Sequence, residues 1–200
     1  LYDKVRGALK TISSDTSAAQ ATSAGSLTAF GTDGFSLGNG GSANEINGVA
    51  GTANIAWGWK EGATSGFDIV SYTGNATART IAHNLGVVPE MIIVKNLADT
   101  DSWAVYHAAN TAAPATDYLV LNTTAATADD STVWNDTAPT SSVFSVGTGS
   151  LTNGNTEAMI AYVFAPVPGF SSFGSYVANA AADGPFIYTG FKPAFVIFKC

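Results

Sequence analysis

The sequence is short of most residues from which reactive sites are built. Its 200 residues include one cysteine, two histidines and two methionines. The lone Cys200 excludes an intrachain disulfide, and with it a disulfide-stapled scaffold. The fold must therefore hold by burial and β-ladders, which suits synthesis in a reducing compartment. Basic residues are also scarce: eight Lys and Arg against fifteen Asp and Glu, for a net charge of −7. Sequence-independent nucleic-acid binding needs clustered cations. No such cluster is visible, so nucleic acid and anionic membrane surfaces are set aside as partners. No apolar run approaches the roughly 20 residues needed to cross a bilayer, so membrane insertion is not expected. No secretory leader is expected either, because Leu1 opens inside a patterned stretch. Beginning on Leu rather than Met, the chain reads as a segment of a longer one.

What is present is apolar and small. Hydrophobic residues make up 46% of the chain and charged residues 12%, with 4 Trp, 7 Tyr and 11 Phe. Disordered chains are charged and poor in aromatics; this one can bury a core. Its apolar residues fall in short runs between Gly/Asn/Ser/Thr/Asp clusters, which predicts an all-β fold.

One stretch occurs twice. Residues 66–95 read GFDIVSYTGNATARTIAHNLGVVPEMIIVK, and residues 169–199 read GFSSFGSYVANAAADGPFIYTGFKPAFVIFK. Gly66-Phe67 matches Gly169-Phe170, Ser71-Tyr72 matches Ser175-Tyr176, and Gly86, Pro89 and Lys95 match Gly190, Pro193 and Lys199. The offset is about 104 residues, as from Pro89 to Pro193, after a one-residue insertion. Other pairs follow: ANIAWGWK at 53–60 with AMIAYVFA at 158–165 at an offset of 105, GFSLG at 34–38 with VFSVG at 143–147 at 109, and Tyr2 with Tyr106 at 104. A fixed offset with matched Gly, Pro and aromatic positions marks a repeated structural unit.

The expected architecture is a tandem of β-sandwich, jelly-roll-like repeats of about 104 residues. Residues 1–65 are the C-terminal part of one repeat and 66–168 a complete repeat of about eight strands. Residues 169–200 are the opening strands of a further repeat, able to complete 1–65. By the same matching, 1–5 and 8–13 are read as strands, 14–32 as irregular, and 39–52 as a long Gly/Asn-rich loop. STVW at 131–134 is read as one of the eight strands. In GFSLG, Phe35 and Leu37 alternate with Ser36, so a half-buried strand is expected there.

The sequence resembles the tandem β-modules of tail-fibre and other virion structural proteins of tailed bacteriophages. The residues that carry the likeness are GFDIVSYTGN at 66–75, HNLGVVPEMIIVKN at 83–96, SWAVYH at 102–107, LNTTAAT at 121–127, VWNDTAPTSSVFSVGT at 133–148 and the 169–199 stretch. That resemblance implies a virion structural role in a tail fibre or similar appendage, contact with the host surface, and assembly in several copies. It implies as partners copies of the chain itself, other virion proteins and a host surface glycan, and it brings no catalytic residues.

Candidate sites read directly from the residues are few. His83 and His107 lack metal-ligand spacing and have no Cys cluster beside them. His83, before Asn-Leu-Gly, reads as a hydrogen-bonded turn residue, and Asp3 occupies the aligned place of His107 in the other copy, so His107 holds no chemistry shared between the copies. Asp99, Asp101, Asp129, Asp130 and Asp136 sit in polar connections, where neither a glycosidase pair nor an EF-hand pattern is recognisable. GFSSFG at 169–174 is not the GxSxG nucleophile motif, and GNGGS at 38–42 lacks the GK[ST] of a phosphate loop. Asn75, Asn122 and Asn135 head glycosylation sequons, which carry meaning only in a eukaryotic secreted chain. No catalytic, metal or cofactor site is expected. Trp57 and Trp59, two apart, are read as core or inter-domain contacts, with a stacking platform as the lesser reading. If a surface meets sugar rings, Trp103 and Trp134, with the loops 39–52 and 148–156, are the candidates.

The leading expectation is a non-enzymatic virion structural protein that forms homo-oligomers. A carbohydrate-binding module or glycan-active enzyme domain is the first alternative, and a bacterial surface adhesin the second. Two buried carboxylates across a groove would favour an enzyme, and an aromatic groove without acids a binding module.

Overall fold

A computed structural model describes residues 1–39, 46–47, 50–51 and 53–199. In chain order, β1 (Lys10–Thr11) pairs with β2 (Ala21–Thr22), and β3 (Leu27–Phe30) with β4 (Phe35–Leu37). Then come β5 (Phe67–Thr73), β6 (Arg79–Ala82), β7 (Met91–Asn96), β8 (Ala104–His107), β9 (Asp117–Val120) and β10 (Ala128–Asp129). The single-turn helix α1 (Ser131–Trp134), β11 (Val143–Val146), the single-turn helix α2 (Ser150–Asn153) and β12 (Ala158–Phe164) follow, and a 3-10 turn (Ala63–Ser65) precedes β5. The chain is mostly β, in several sheets, none closed into a barrel.

The main sheet is antiparallel, in the order β10-β9-β8-β7-β12-β5. Its longest interior strand is β12, AMIAYVF, next to the edge strand β5 on one side and hydrogen-bonded to β7 on the other. Strand side chains alternate between faces, so β12 feeds two cores. Met159, Ala161 and Val163 join Ile92, Val94, Ala104, Tyr106 and Trp134 on one face. The antiparallel β6–β11 pair, with Ile81, Phe144 and Val146, covers that face as a second layer, giving a β-sandwich-like arrangement. Ile160 and Tyr162 join Phe67 and Trp103 on the other face. An apolar run without alternation is what a strand buried on both sides requires.

That second face is covered by the N-terminal segment. Ile12 enters its core, and the Trp103 indole N–H is shared between the carbonyls of Ser13 and Thr16, both at 3.0 Å. The Tyr162 hydroxyl donates to Asp3 Oδ2 at 2.7 Å. Asp3 also takes the Arg6 Nε–H at 2.5 Å, in an ion pair whose side chains are each 3% exposed.

Between residues 66 and 168 the structure has eight strands, as the sequence predicts, but STVW is not one of them. Residues 131–134 form α1, capped by the Asp130 carboxylate, which accepts from the Thr132 N–H, and closed by Asn135 in the left-handed region. The eighth strand is the short β10 instead. The N-terminal expectations also change. Residues 4–6 form a turn rather than part of a strand, and within 8–13 only Lys10–Thr11 is extended and paired. These residues do not copy β8 and β9 because their place is across the sheet face, where Asp3, Arg6 and Ile12 are held one by one. Residues 14–32, read as irregular, contain β2 and β3. Phe35 and Leu37 do form a strand, but both are exposed, because among the described residues β4 pairs only with β3 and no layer lies over it. The loop 39–52 falls largely outside the described residues. Across the described residues of 169–200 there is no strand, only an isolated bridge between Val167 and Ser171.

Candidate functional site

The two tryptophans put forward for glycan contact are both core residues. Trp103 is fully buried against Tyr162, with ring centroids 6.4 Å apart. Trp134 packs edge-on against Tyr106 at 6.1 Å, and its indole N–H is buried without a hydrogen-bond partner. Neither offers a face to a sugar. The reason is that β8 and the turn after β10 are covered on both sides, which alternation within SWAVYH does not reveal. The loop 148–156 likewise folds inward: it contains α2, whose Thr152 and Asn153 are buried.

The polar candidates are occupied by structural tasks. His83 Nδ1 accepts from the Leu85 N–H at 3.3 Å and its Nε2 meets the Thr140 carbonyl at 3.1 Å. These two contacts give His83 the hydrogen-bonded turn role expected of it. His107 Nδ1 accepts from the Ala109 N–H at 3.1 Å, and burial holds its pKa below the ordinary histidine value. Asp101 and Glu157 converge on the Asn96 amide, at 2.9 and 2.6 Å from Nδ2. Asp130 is the helix cap, while Asp129 and Asp136 are exposed. Among the described residues, no group of three or more His, Cys, Asp or Glu is placed to hold a metal ion.

Sequence reasoning passed over Lys95. It is fully buried, and its ammonium donates to the carbonyls of Asn96 at 2.5 Å and Asp99 at 3.1 Å. Burial lowers its pKa, against the opposing pull of Asp101 and Asp99. The signal was the matched Lys at 95 and 199, which spacing alone does not connect with burial. Lys199 is exposed and donates to the Thr123 carbonyl at 2.6 Å. A shallow groove of about 390 Å³ lies beside it, between Leu121–Thr124 and Ile197–Lys199.

The surface that stands out is apolar and lies near one corner of the main sheet. Phe67, at the start of β5, sits opposite Phe164, at the end of β12. The chain therefore reaches and leaves this sheet side by side, and the Ala165 N–H donates to the Gly66 carbonyl at 2.8 Å. Gly66 has φ +63°, and a Cβ there would overlap the Ala165 carbonyl oxygen, so the approach requires glycine. Upstream, residues 53–60 are all exposed, with Trp57 at 67% and Trp59 at 51%. Downstream, Phe170, Tyr176, Phe195, Ile197 and Phe198 are exposed as well. The two segments touch through the rings of Trp57 and Phe195, whose centroids are 5.2 Å apart. Phe173 turns back onto Phe164 and His107.

A family model matches residues 1–200. The chain belongs to the family described as Domain of unknown function (DUF7483). No curated protein and no solved structure matches this DUF7483 chain. The site of this family member is thus defined by its own geometry: a packed sheet with exposed aromatic segments beside one corner.

Proposed function

We propose that the chain is a virion structural protein, a segment of a phage tail fibre or similar appendage, and that it acts by presenting aromatic side chains to neighbouring chains rather than by catalysis. The observation that carries this reading is the exposure of Trp57, Trp59, Phe170, Phe195 and Phe198 beside a sheet whose own two faces are covered. Exposed apolar patches of this kind mark interaction surfaces. The sequence likeness to tandem β-modules of tailed phages points the same way, as does the repeat of about 104 residues. Its partners on this reading are copies of itself and other virion proteins.

The test is placement in a particle. Gold-labelled antibody raised against the purified chain is expected to mark a tail appendage on purified particles of the virus that encodes it. Labelling confined to unassembled lysate protein would overturn the proposal.

A glycan-binding surface is the second reading, favoured by one observation: Trp57 and Trp59 are exposed and two residues apart, so an extended backbone sets both rings on one side. A host-glycan array probed with the wild-type chain and with Trp57→Ala/Trp59→Ala decides it. Binding lost only in the double variant supports glycan contact, and no binding by the wild type removes it.

A further inference from the structure

The corner geometry leads to a specific strand partner. In the main sheet β12 lies between β5 and β7, in a register that sets Tyr162 opposite Ile69 and Ile93, and Phe164 opposite Phe67 and Met91. The repeat carries each of these strands onto an exposed segment. Residues 53–59 correspond to β12, with Trp57 at the place of Tyr162 and Trp59 at that of Phe164. Residues 170–176 correspond to β5, with Phe170 at the place of Phe67. Residues 195–199 correspond to β7, with Phe195 at the place of Met91 and Ile197 at that of Ile93.

The backbone already follows the repeat where no strand pairing is needed. Gly66 and its counterpart Gly169 have φ +63° and +76°, and Gly86 and its counterpart Gly190 have φ +72° and +79°. Bends at Gly86, Val87 and Glu90 recur at Gly190, Phe191 and Ala194. Two independent turns thus share a conformation that L side chains rarely adopt. The turn that delivers Met91 to the main sheet is repeated ahead of Phe195.

We propose that residues 53–59 seat as the central strand between residues 170–176 and 195–199 of the same chain, forming a second sheet in the registers Trp59 opposite Phe195 and Trp57 opposite Ile197. The resulting face gathers Trp57, Trp59, Phe170, Phe195 and Ile197, which reproduces the positions of Tyr162, Phe164, Phe67, Met91 and Ile93. The opposite face of the central strand carries Asn54, Ala56 and Gly58. The ring contact between Trp57 and Phe195 brings the two segments together. The Ala165-to-Gly66 hydrogen bond keeps the connectors side by side. Each connector is only about six residues long, so the tether gives the intrachain pairing a high effective concentration. The occupant is therefore the chain's own segment, and a second copy is the competing outcome.

Disulfide trapping tests the register, in a Cys200→Ser background. Gly58→Cys with Val196→Cys places the two sulfurs on directly opposed residues, within the span a disulfide bridges. A Cβ at Gly58 meets nothing within 4 Å. Gly58→Cys with Ile197→Cys is the control, because a one-residue slip turns the side chains to opposite faces. Under mild oxidation the first pair is expected to form a monomeric crosslink at least tenfold faster than the control. Equal rates would overturn the proposal, and crosslinked dimers would show that the strands are exchanged between copies instead. Hydrogen exchange on the wild-type chain gives a readout that needs no cysteine. Amides of 53–59 and 195–199 are expected to be protected together, and to lose protection together in Ala56→Pro while β12 stays protected. Exchange of 53–59 at the rate of an unstructured segment in the wild type would overturn the pairing.

Discussion

The Tyr162 hydroxyl and the Asp3 carboxylate, 159 positions apart, share a hydrogen bond of 2.7 Å in the buried face of the main sheet. Through it β12 is tied to the segment that covers it. Arg6 completes the cluster, with its Nε–H on the same carboxylate oxygen and its backbone N–H on the other oxygen at 2.8 Å. Removing Asp3 would leave a guanidinium buried without its counter-ion, a loss of about 3–5 kcal/mol. Tyr162→Phe removes only one hydrogen bond and leaves no unpaired charge, costing about 1 kcal/mol. Urea denaturation is expected to rank Asp3→Ala well below Tyr162→Phe, with Asp3→Ala/Arg6→Met recovering part of the loss. Equal effects of Asp3→Ala and Tyr162→Phe would show that the ion pair does not hold this face.

Trp103 makes a second tie. Its truncation to Ala empties a fully buried indole site, at a cost of about 3–5 kcal/mol. Trp103→Phe keeps most of the volume and loses the N–H shared by Ser13 and Thr16. Limited proteolysis is expected to cut Trp103→Phe within residues 1–24 before it cuts the main sheet. A variant as resistant as the wild type would mean that these hydrogen bonds do not anchor the N-terminal segment.

His107 gives the fold a dependence on acid. Burial lowers its folded-state pKa, so the unfolded chain takes up a proton first, near the ordinary histidine value of about 6.5. The stability held above that pH is therefore lost as pH falls through it, towards the lower folded-state value. Protonation also removes the Nδ1 acceptor used by the Ala109 N–H. The denaturation midpoint is expected to drop between pH 7.5 and pH 5, and His107→Gln to flatten that drop. An unchanged pH profile in the variant would assign it to other groups.

The two ends of the chain should differ under truncation. Residues 1–24 lie over a sheet face, whereas no residue of 170–199 belongs to either core. A chain ending at residue 168 is expected to unfold cooperatively, with its urea midpoint little changed. A chain lacking residues 1–24 is expected to expose Trp103 and Tyr162 and to lose its cooperative transition. Loss of folding in the 1–168 chain would show that the downstream segment supports the main sheet.

The strands from Phe67 to Phe164 were legible because their signals are local. FDIVSY, MIIVKN and AMIAYVF carry period-two or continuous apolar runs bounded by Gly, Asn and Pro. Two single-turn helices were not legible, since four residues are too few to show a period. The Asp130 cap and the left-handed Asn135 at either end of STVW are the marks that reveal α1. The cover formed by Asp3, Arg6 and Ile12 was hidden for a different reason. It rests on contacts such as Tyr162 with Asp3 and Trp103 with Ser13, 159 and 90 positions apart, and no window of sequence contains both partners. Trp103 and Trp134, named only as the candidates should a sugar-contacting surface exist, are core residues, and the sequence around them does not show the layers that cover them. Trp57 and Trp59, read chiefly as buried, are exposed because their expected neighbours lie in another part of the chain.

The pairing of Phe67 with Phe164 has a mechanical consequence. Tension applied through the two connectors acts on the first and last residues of the main sheet at a single corner, so β5 and β12 are loaded bond by bond rather than all at once. Such a joint peels at low force from that corner. Resistance then passes to the N-terminal segment laid across the sheet, whose grip through Asp3, Ile12 and Trp103 would act as the catch that stops the tear.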